Sequence, residues 1–117
     1  MTFSGKSLTK ADEERRRLIH EGGCMACAQR GINMAGSGYV QFHHLNGKKH
    51  HDQTIGCCLW HHQGRPMYEM TEKQCRDYFG PSLFHESKLF YVTFGSKADL
   101  LEMQNRILAD LGFEVRS

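Results

Sequence analysis

Apolar and polar positions recur along this chain with two different periods, and the change of period separates helical flanks from a short β-rich centre. In KADEERRRLIHEGG, residues 10–23, Ala11, Leu18 and Ile19 fall on one helical stripe. Thr9 followed three residues later by Asp12 predicts a capped start, and Gly22-Gly23 predicts the stop. Acidic residues come early and arginines late, as the helix dipole prefers. Cys24-Met25-Ala26-Cys27 reads as a tight turn, and residues 31–38 as a glycine-containing loop. Tyr39-Val40-Gln41-Phe42-His43 then alternates and is rich in strand formers, predicting a strand that closes at His43-His44. Asn46-Gly47 predicts a turn, Lys48 to Gln53 a polar loop, and Thr54 to Cys57 a second short strand.

From Cys58 to Gln63 the pattern predicts a helix start, stopped by Gly64, Arg65 and Pro66. Thr71 with Gln74 predicts another capped helix through Phe79, punctuated by Gly80-Pro81. Ser87 to Phe94 has the composition of a strand, but Phe90 and Phe94 stand at helical spacing, which favours a short helix. Ser96 with Asp99 caps the last helix, KADLLEMQNRILADL. Its Leu100, Leu101, Met103, Ile107, Leu108 and Leu111 form a broad apolar face expected to pack on the core. The class expected is α+β: a small β-centred core over about residues 22–66, flanked by an N-terminal helix and a helical part over about 70–112. Residues 1–8 read as a flexible lead-in.

With 117 residues and 39% apolar content, the expectation is one domain, 1–117, whose modest core would gain from a staple. No apolar run is long enough to cross a bilayer, and Met1-Thr2-Phe3-Ser4-Gly5-Lys6 has no signal-peptide pattern. Neither a membrane nor an export route is therefore expected, and the cytoplasm is the default. Five cysteines in a reducing compartment, two of them in C-x2-C spacing near histidines, read as metal ligands rather than disulfides. The net charge of +2 says little about partners. The local clusters Arg15-Arg16-Arg17 and Lys48-Lys49 with His50-His51 suit a phosphate backbone as well as they suit solvent.

The chemistry concentrates in FHHLNGKKHHDQTIGCCLWHHQ, residues 42–63, which holds six of the eight histidines. Cys24, Cys27, Cys58 and His61 give C-x2-C, thirty intervening residues, then C-x2-H. A tetrahedral zinc takes four such ligands, two from a turn and two from the first turn of a helix, in the order of a treble-clef finger. Cys57 rivals Cys58 in this set and His62 rivals His61. Cys75 has no partner at ligand spacing and reads as a buried helix thiol. Of the remaining histidines, His62 points about 100° away from His61 on the helix, toward the strand that ends in His43 and His44. Successive strand side chains diverge, so the pair should divide its tasks. One strand histidine with a helix histidine can hold a divalent ion, and the other can act as general base on water.

A C-x2-C knuckle, a strand ending in His-His and a helix carrying C-x-x-H-H resemble the HNH, or ββα-metal, endonucleases. The longer run ADEERRR…GGCMAC…FHHLNGK…CCLWHHQ…FGSKADLLEMQNRIL resembles the phage recombination-enhancement, RecA-dependent nuclease branch over roughly residues 10–110. The resemblance implies a DNA endonuclease leaving 5′-phosphate and 3′-hydroxyl ends, working with a RecA filament. It also implies His44 as general base, and His43 and His62 as ligands of a catalytic ion (magnesium, manganese or zinc). Cys24, Cys27, Cys58 and His61 would hold the structural zinc. His43 stands where many relatives have aspartate, leaving neutral ligands that favour transition metals. The middle asparagine of that motif is not clearly present: Gln53 stands at its usual place, five residues before Cys58, and Asn46 lies nearby in a different loop. His51, Lys48 and Lys49 are further candidates for phosphate contact, and His51 also for an extra ligand. The competing expectation is a non-catalytic treble-clef module that binds nucleic acid or protein, which would leave the surplus histidines unexplained.

Overall fold

The computed structural model describes residues 8–113, so the lead-in expected at residues 1–8 lies, apart from Leu8, outside the described residues. Helix α1 (Lys10–Gly22) begins at the capping box of Thr9 with Asp12, each side chain bonding the other's backbone N–H. A short helix α2 (Met25–Gln29) follows, where a tight turn was expected. Its first turn is capped by the Cys24 sulfur, which accepts from the Cys27 N–H at 3.4 Å. Strands β1 (Val40–His44) and β2 (Thr54–Cys58) form an antiparallel hairpin with Val40 opposite Cys58 and His44 opposite Thr54. A single 3-10 turn (His51–Gln53) leads into β2.

Directly after β2, helix α3 (Leu59–Gln63) starts at Cys58 and stops at Gly64, whose left-handed φ of 67° donates its N–H to the Trp60 carbonyl. Helices α4 (Glu72–Phe79), α5 (Leu83–Phe94) and α6 (Lys97–Asp110) complete the chain, with the predicted boxes at Thr71–Gln74 and Ser96–Asp99 in place. α5 begins four residues earlier than the spacing of Phe90 and Phe94 suggested. Ser82 caps it, and a non-helical Glu86, ion-paired to Arg76, interrupts the pattern that would have disclosed its first turn.

The architecture is a treble-clef core, knuckle then hairpin then helix, with helices on both sides. β2 is buried along its whole length, packed against α1, α2, α3 and α6. Ile19, Met25, Ile55, Trp60, Met67, Phe79, Phe90, Leu100 and Leu108 are the largest fully buried apolar side chains of the core. At Gly56 the fit is close enough that a methyl group would drive into the Gly23 carbonyl oxygen and meet Ile19.

Two expectations about faces are corrected. Ala11 is exposed, and the residue buried with Leu18 and Ile19 is Arg15. On α6 the buried stripe is Leu100, Gln104 and Leu108, whereas Leu111 is 45% exposed beyond the end of the packed surface. Gln104 earns its burial by accepting the Gly56 N–H at 2.7 Å. No helix among the described residues is long and apolar enough to cross a membrane.

Candidate metal centre and histidine cluster

Cys24 and Cys27 come from the start of α2, and Cys58 and His61 from the start of α3. Their four ligand atoms all lie within 4.8 Å of one another and all four residues are buried. A tetrahedral zinc with Zn–S near 2.3 Å and Zn–N near 2.0 Å needs S···S edges of about 3.8 Å and S···N edges of about 3.5 Å. The Cys27 and Cys58 sulfurs are 3.7 Å apart, and His61 Nδ1 lies 3.4, 3.5 and 3.1 Å from the sulfurs of Cys24, Cys27 and Cys58. The other ring nitrogen, Nε2, donates to the Phe79 carbonyl at 2.8 Å, which leaves Nδ1 as the ligating atom. The residues therefore fit a structural zinc, and the rivals separate: Cys58 and His61 are in the set, Cys57 and His62 are not.

The electrostatics agree. Burial opposes charge at Cys24, but hydrogen bonds from Cys27, Cys58 and His61 overcome it and hold that thiol well below its ordinary pKa. The thiols of Cys27 and Cys58 are pushed up, first by their hydrogen bonds with Cys24. Three dry thiols cannot all ionise beside one another without a cation among them. Backbone N–H groups also prepare thiolate charge, since Cys24 and Cys58 each accept one at 3.4 Å from the helix they cap.

The second group forms where β1 ends. His43 faces His62 of α3, ring centres 5.2 Å apart. Gln41, two residues earlier on the same strand face, takes the His62 Nδ1–H at 2.9 Å and a Gln63 amide N–H at 2.8 Å. That bond leaves His62 Nε2 as the nitrogen with a lone pair to offer. His44 sits beside His51, with Nε2 to Nδ1 at 3.4 Å and ring centres 5.5 Å apart. Asn46 donates to Gln53 at 2.6 Å and the Leu45 N–H to the Gln53 carbonyl at 3.0 Å, so Asn46 and Gln53 join the two ends of the loop. Lys48 and Lys49 are exposed on that loop.

His43, His44 and His62 are shifted toward the neutral form. Burial first, then the neighbouring His62, His44 and Lys97, push His43 down to about 4. His44 is lowered by burial and then by His51, Arg16, His62 and Lys48, and His62 by burial. Neutral rings near each other can bind a cation or accept a proton from water; protonated ones can do neither. Cys75 is buried in α4, as its isolation suggested. His85 instead donates from Nε2 to the Gly64 carbonyl at 2.9 Å and lies 5.4 Å from the Trp60 ring, so it packs the end of α3.

Sequence reasoning missed Gln41 and Arg15. The alternation that predicted a strand from Tyr39 to His43 also places Gln41 with His43, and so could have found the first. Nothing local marks the second. Arg15 donates to the Thr54 hydroxyl at 3.1 Å, to the Thr54 carbonyl at 2.7 Å and to Asn105 at 2.8 Å. The Thr54 hydroxyl in turn donates to the His51 carbonyl at 3.0 Å. Residues 9–109 match the family model described as recombination enhancement, RecA-dependent nuclease. No curated protein matches the chain.

Proposed function

The chain belongs to the recombination-enhancement, RecA-dependent nuclease family, and from that premise we propose that it is a metal-dependent DNA endonuclease of the HNH kind. The observation that carries this reading is the facing of His43 and His62 across hairpin and helix, with His44 next in the chain. A structural zinc accounts for four ligands, and these three lie outside that set.

In this reading His43 and His62 would hold one divalent ion through neutral imidazole nitrogens, with Gln41 fixing the ring of His62. Such an ion would supply Lewis-acid stabilisation to the phosphate being cut and to its leaving oxygen. His44 takes the proton from the attacking water, which its lowered pKa permits because the ring stays unprotonated at neutral pH. His51 lies against His44 and sets its orientation. The substrate is DNA, and the cutting belongs to RecA-linked recombination.

The test is nicking of supercoiled plasmid by zinc-loaded protein with manganese or magnesium, alone and with RecA filaments on single-stranded DNA. His44→Ala should keep its zinc and its fold and lose cleavage. Cleavage that survives His44→Ala rejects the base assignment. No cleavage by the parent chain under any of these conditions favours a non-catalytic zinc module.

A further inference from the structure

The three consecutive arginines meet three different ends. Arg15 is buried among hydrogen bonds to Thr54 and Asn105. Arg17 is occupied by Glu14 and Glu21, each at 2.8 Å. Arg16 takes neither course. It is half-buried, its guanidinium carbon lies 5.2 Å from the centre of the Phe42 ring, and among the described residues no carboxylate is paired with it.

Phe42 and His44 are two apart on β1 and so share a face of the hairpin. Contact with Phe42 thus parks an unpaired guanidinium beside the histidine that closes the strand, at little further entropic cost. Two more cations converge from other elements: Lys97 at the start of α6 acts on His43, and Lys48 of the loop acts on His44. Among the described residues, the groups that act on these two histidines are Arg16, Lys48, Lys97 and neighbouring imidazoles. Positive charge gathered from a helix, a loop and a second helix is a surface that an anion stabilises. The planar fork of a guanidinium matches two oxygens of a phosphate.

We propose that Arg16 is a phosphate-binding residue of this site, gripping a DNA backbone phosphate next to the one that is cut, with Lys97 and Lys48 flanking it. The proposal rests on the nuclease reading above for the place of the cut, but the grip itself is measured without cleavage. In a His44→Ala background, zinc-loaded protein is titrated with a short fluorescent DNA duplex over a series of salt concentrations. Arg16→Gln, of similar length but uncharged, should weaken binding and reduce the slope of log affinity against log salt by about 0.9, the share of one phosphate contact. Arg16→Lys should restore the slope and part of the affinity. Phe42→Leu should keep the slope and weaken binding, because the charge remains but its platform is gone. Arg17→Gln, on the next position, should change neither quantity.

An Arg16→Gln chain that binds with the parent's affinity and slope overturns the proposal, as does an equal loss in Arg17→Gln. With His44 intact, Arg16→Gln should also slow plasmid nicking. If no chain nicks DNA but the slope still falls in Arg16→Gln alone, the phosphate grip stands and the nuclease reading is the part that fails.

Discussion

Replacing Arg15 by methionine isolates a buried cation whose role is to hold three elements together. The guanidinium is 2% exposed and spans α1, the start of β2 and α6 through its bonds to Thr54 and Asn105. Each hydrogen bond from a charged donor contributes about 1.5–3 kcal/mol net, so three of them approach roughly 4–9 kcal/mol. Against this stands the desolvation of the cation, several kcal/mol, which methionine does not incur. Burial indeed lowers the Arg15 pKa, partly offset by Asp52 and Asp12. The difference leaves an expected loss of about 2–4 kcal/mol, including the Thr54 carbonyl left without its donor. In a domain whose whole stability is on the order of 5–15 kcal/mol, that is a large share. Trp60, the only tryptophan and 2% exposed, reports unfolding in urea with zinc in excess. Arg15→Lys should fall between parent and methionine, and the exposed Arg17→Met should leave the midpoint where it was. The reasoning is refuted if Arg15→Met shifts the midpoint no further than Arg17→Met does.

Four other outcomes are expected. Cys58→Ser and His61→Ala should lose bound zinc and the cooperative transition, worth about 10–16 kcal/mol in small zinc domains, while Cys57→Ser and His62→Ala retain one zinc by elemental analysis. Gly56→Ala should cost about 1–3 kcal/mol or more in urea, because backbone at Gly23 cannot yield as a side chain would; Gly38→Ala, in open space, is the control. Acidification should weaken the fold through His43: its folded pKa of about 4 lies below the unfolded 6.5, so the unfolded chain takes up the proton first. That contribution is whole above pH 6.5 and is lost as pH falls toward 4, and His43→Asn should flatten the difference in urea midpoints across this window. Gln41→Leu should raise the manganese concentration needed for half-maximal nicking by about 10-fold, with zinc content unchanged.

How much of this was legible depended on whether the cause was local. The helix starts at Thr9, Thr71 and Ser96 were readable because a capping box is closed within four residues of chain. The C-x2-C and C-x2-H spacing announced a metal centre for the same reason. The choice of Cys58 over Cys57 was not readable, since adjacent thiols on a strand differ only in the direction they take, and the hairpin register decides that. Nor could the Arg15-Arg16-Arg17 run be divided from sequence. Burial of Arg15 depends on Asn105, ninety residues later, and the position of Arg16 on Phe42 depends on how α1 crosses the hairpin. The first turn of α5 was hidden because Glu86 leaves helical geometry where it meets Arg76.

The bond from His61 to the Phe79 carbonyl has a temporal meaning as well as a geometric one. As the chain is synthesised, the fourth ligand emerges eighteen residues ahead of the acceptor that fixes its ring. Trp60 waits in the same way for the Gly80 carbonyl. The knuckle can therefore capture its ion early but cannot be locked until α4 has left the ribosome, so a nascent chain arrested between these points would exchange its metal with the surroundings and a completed one would keep it.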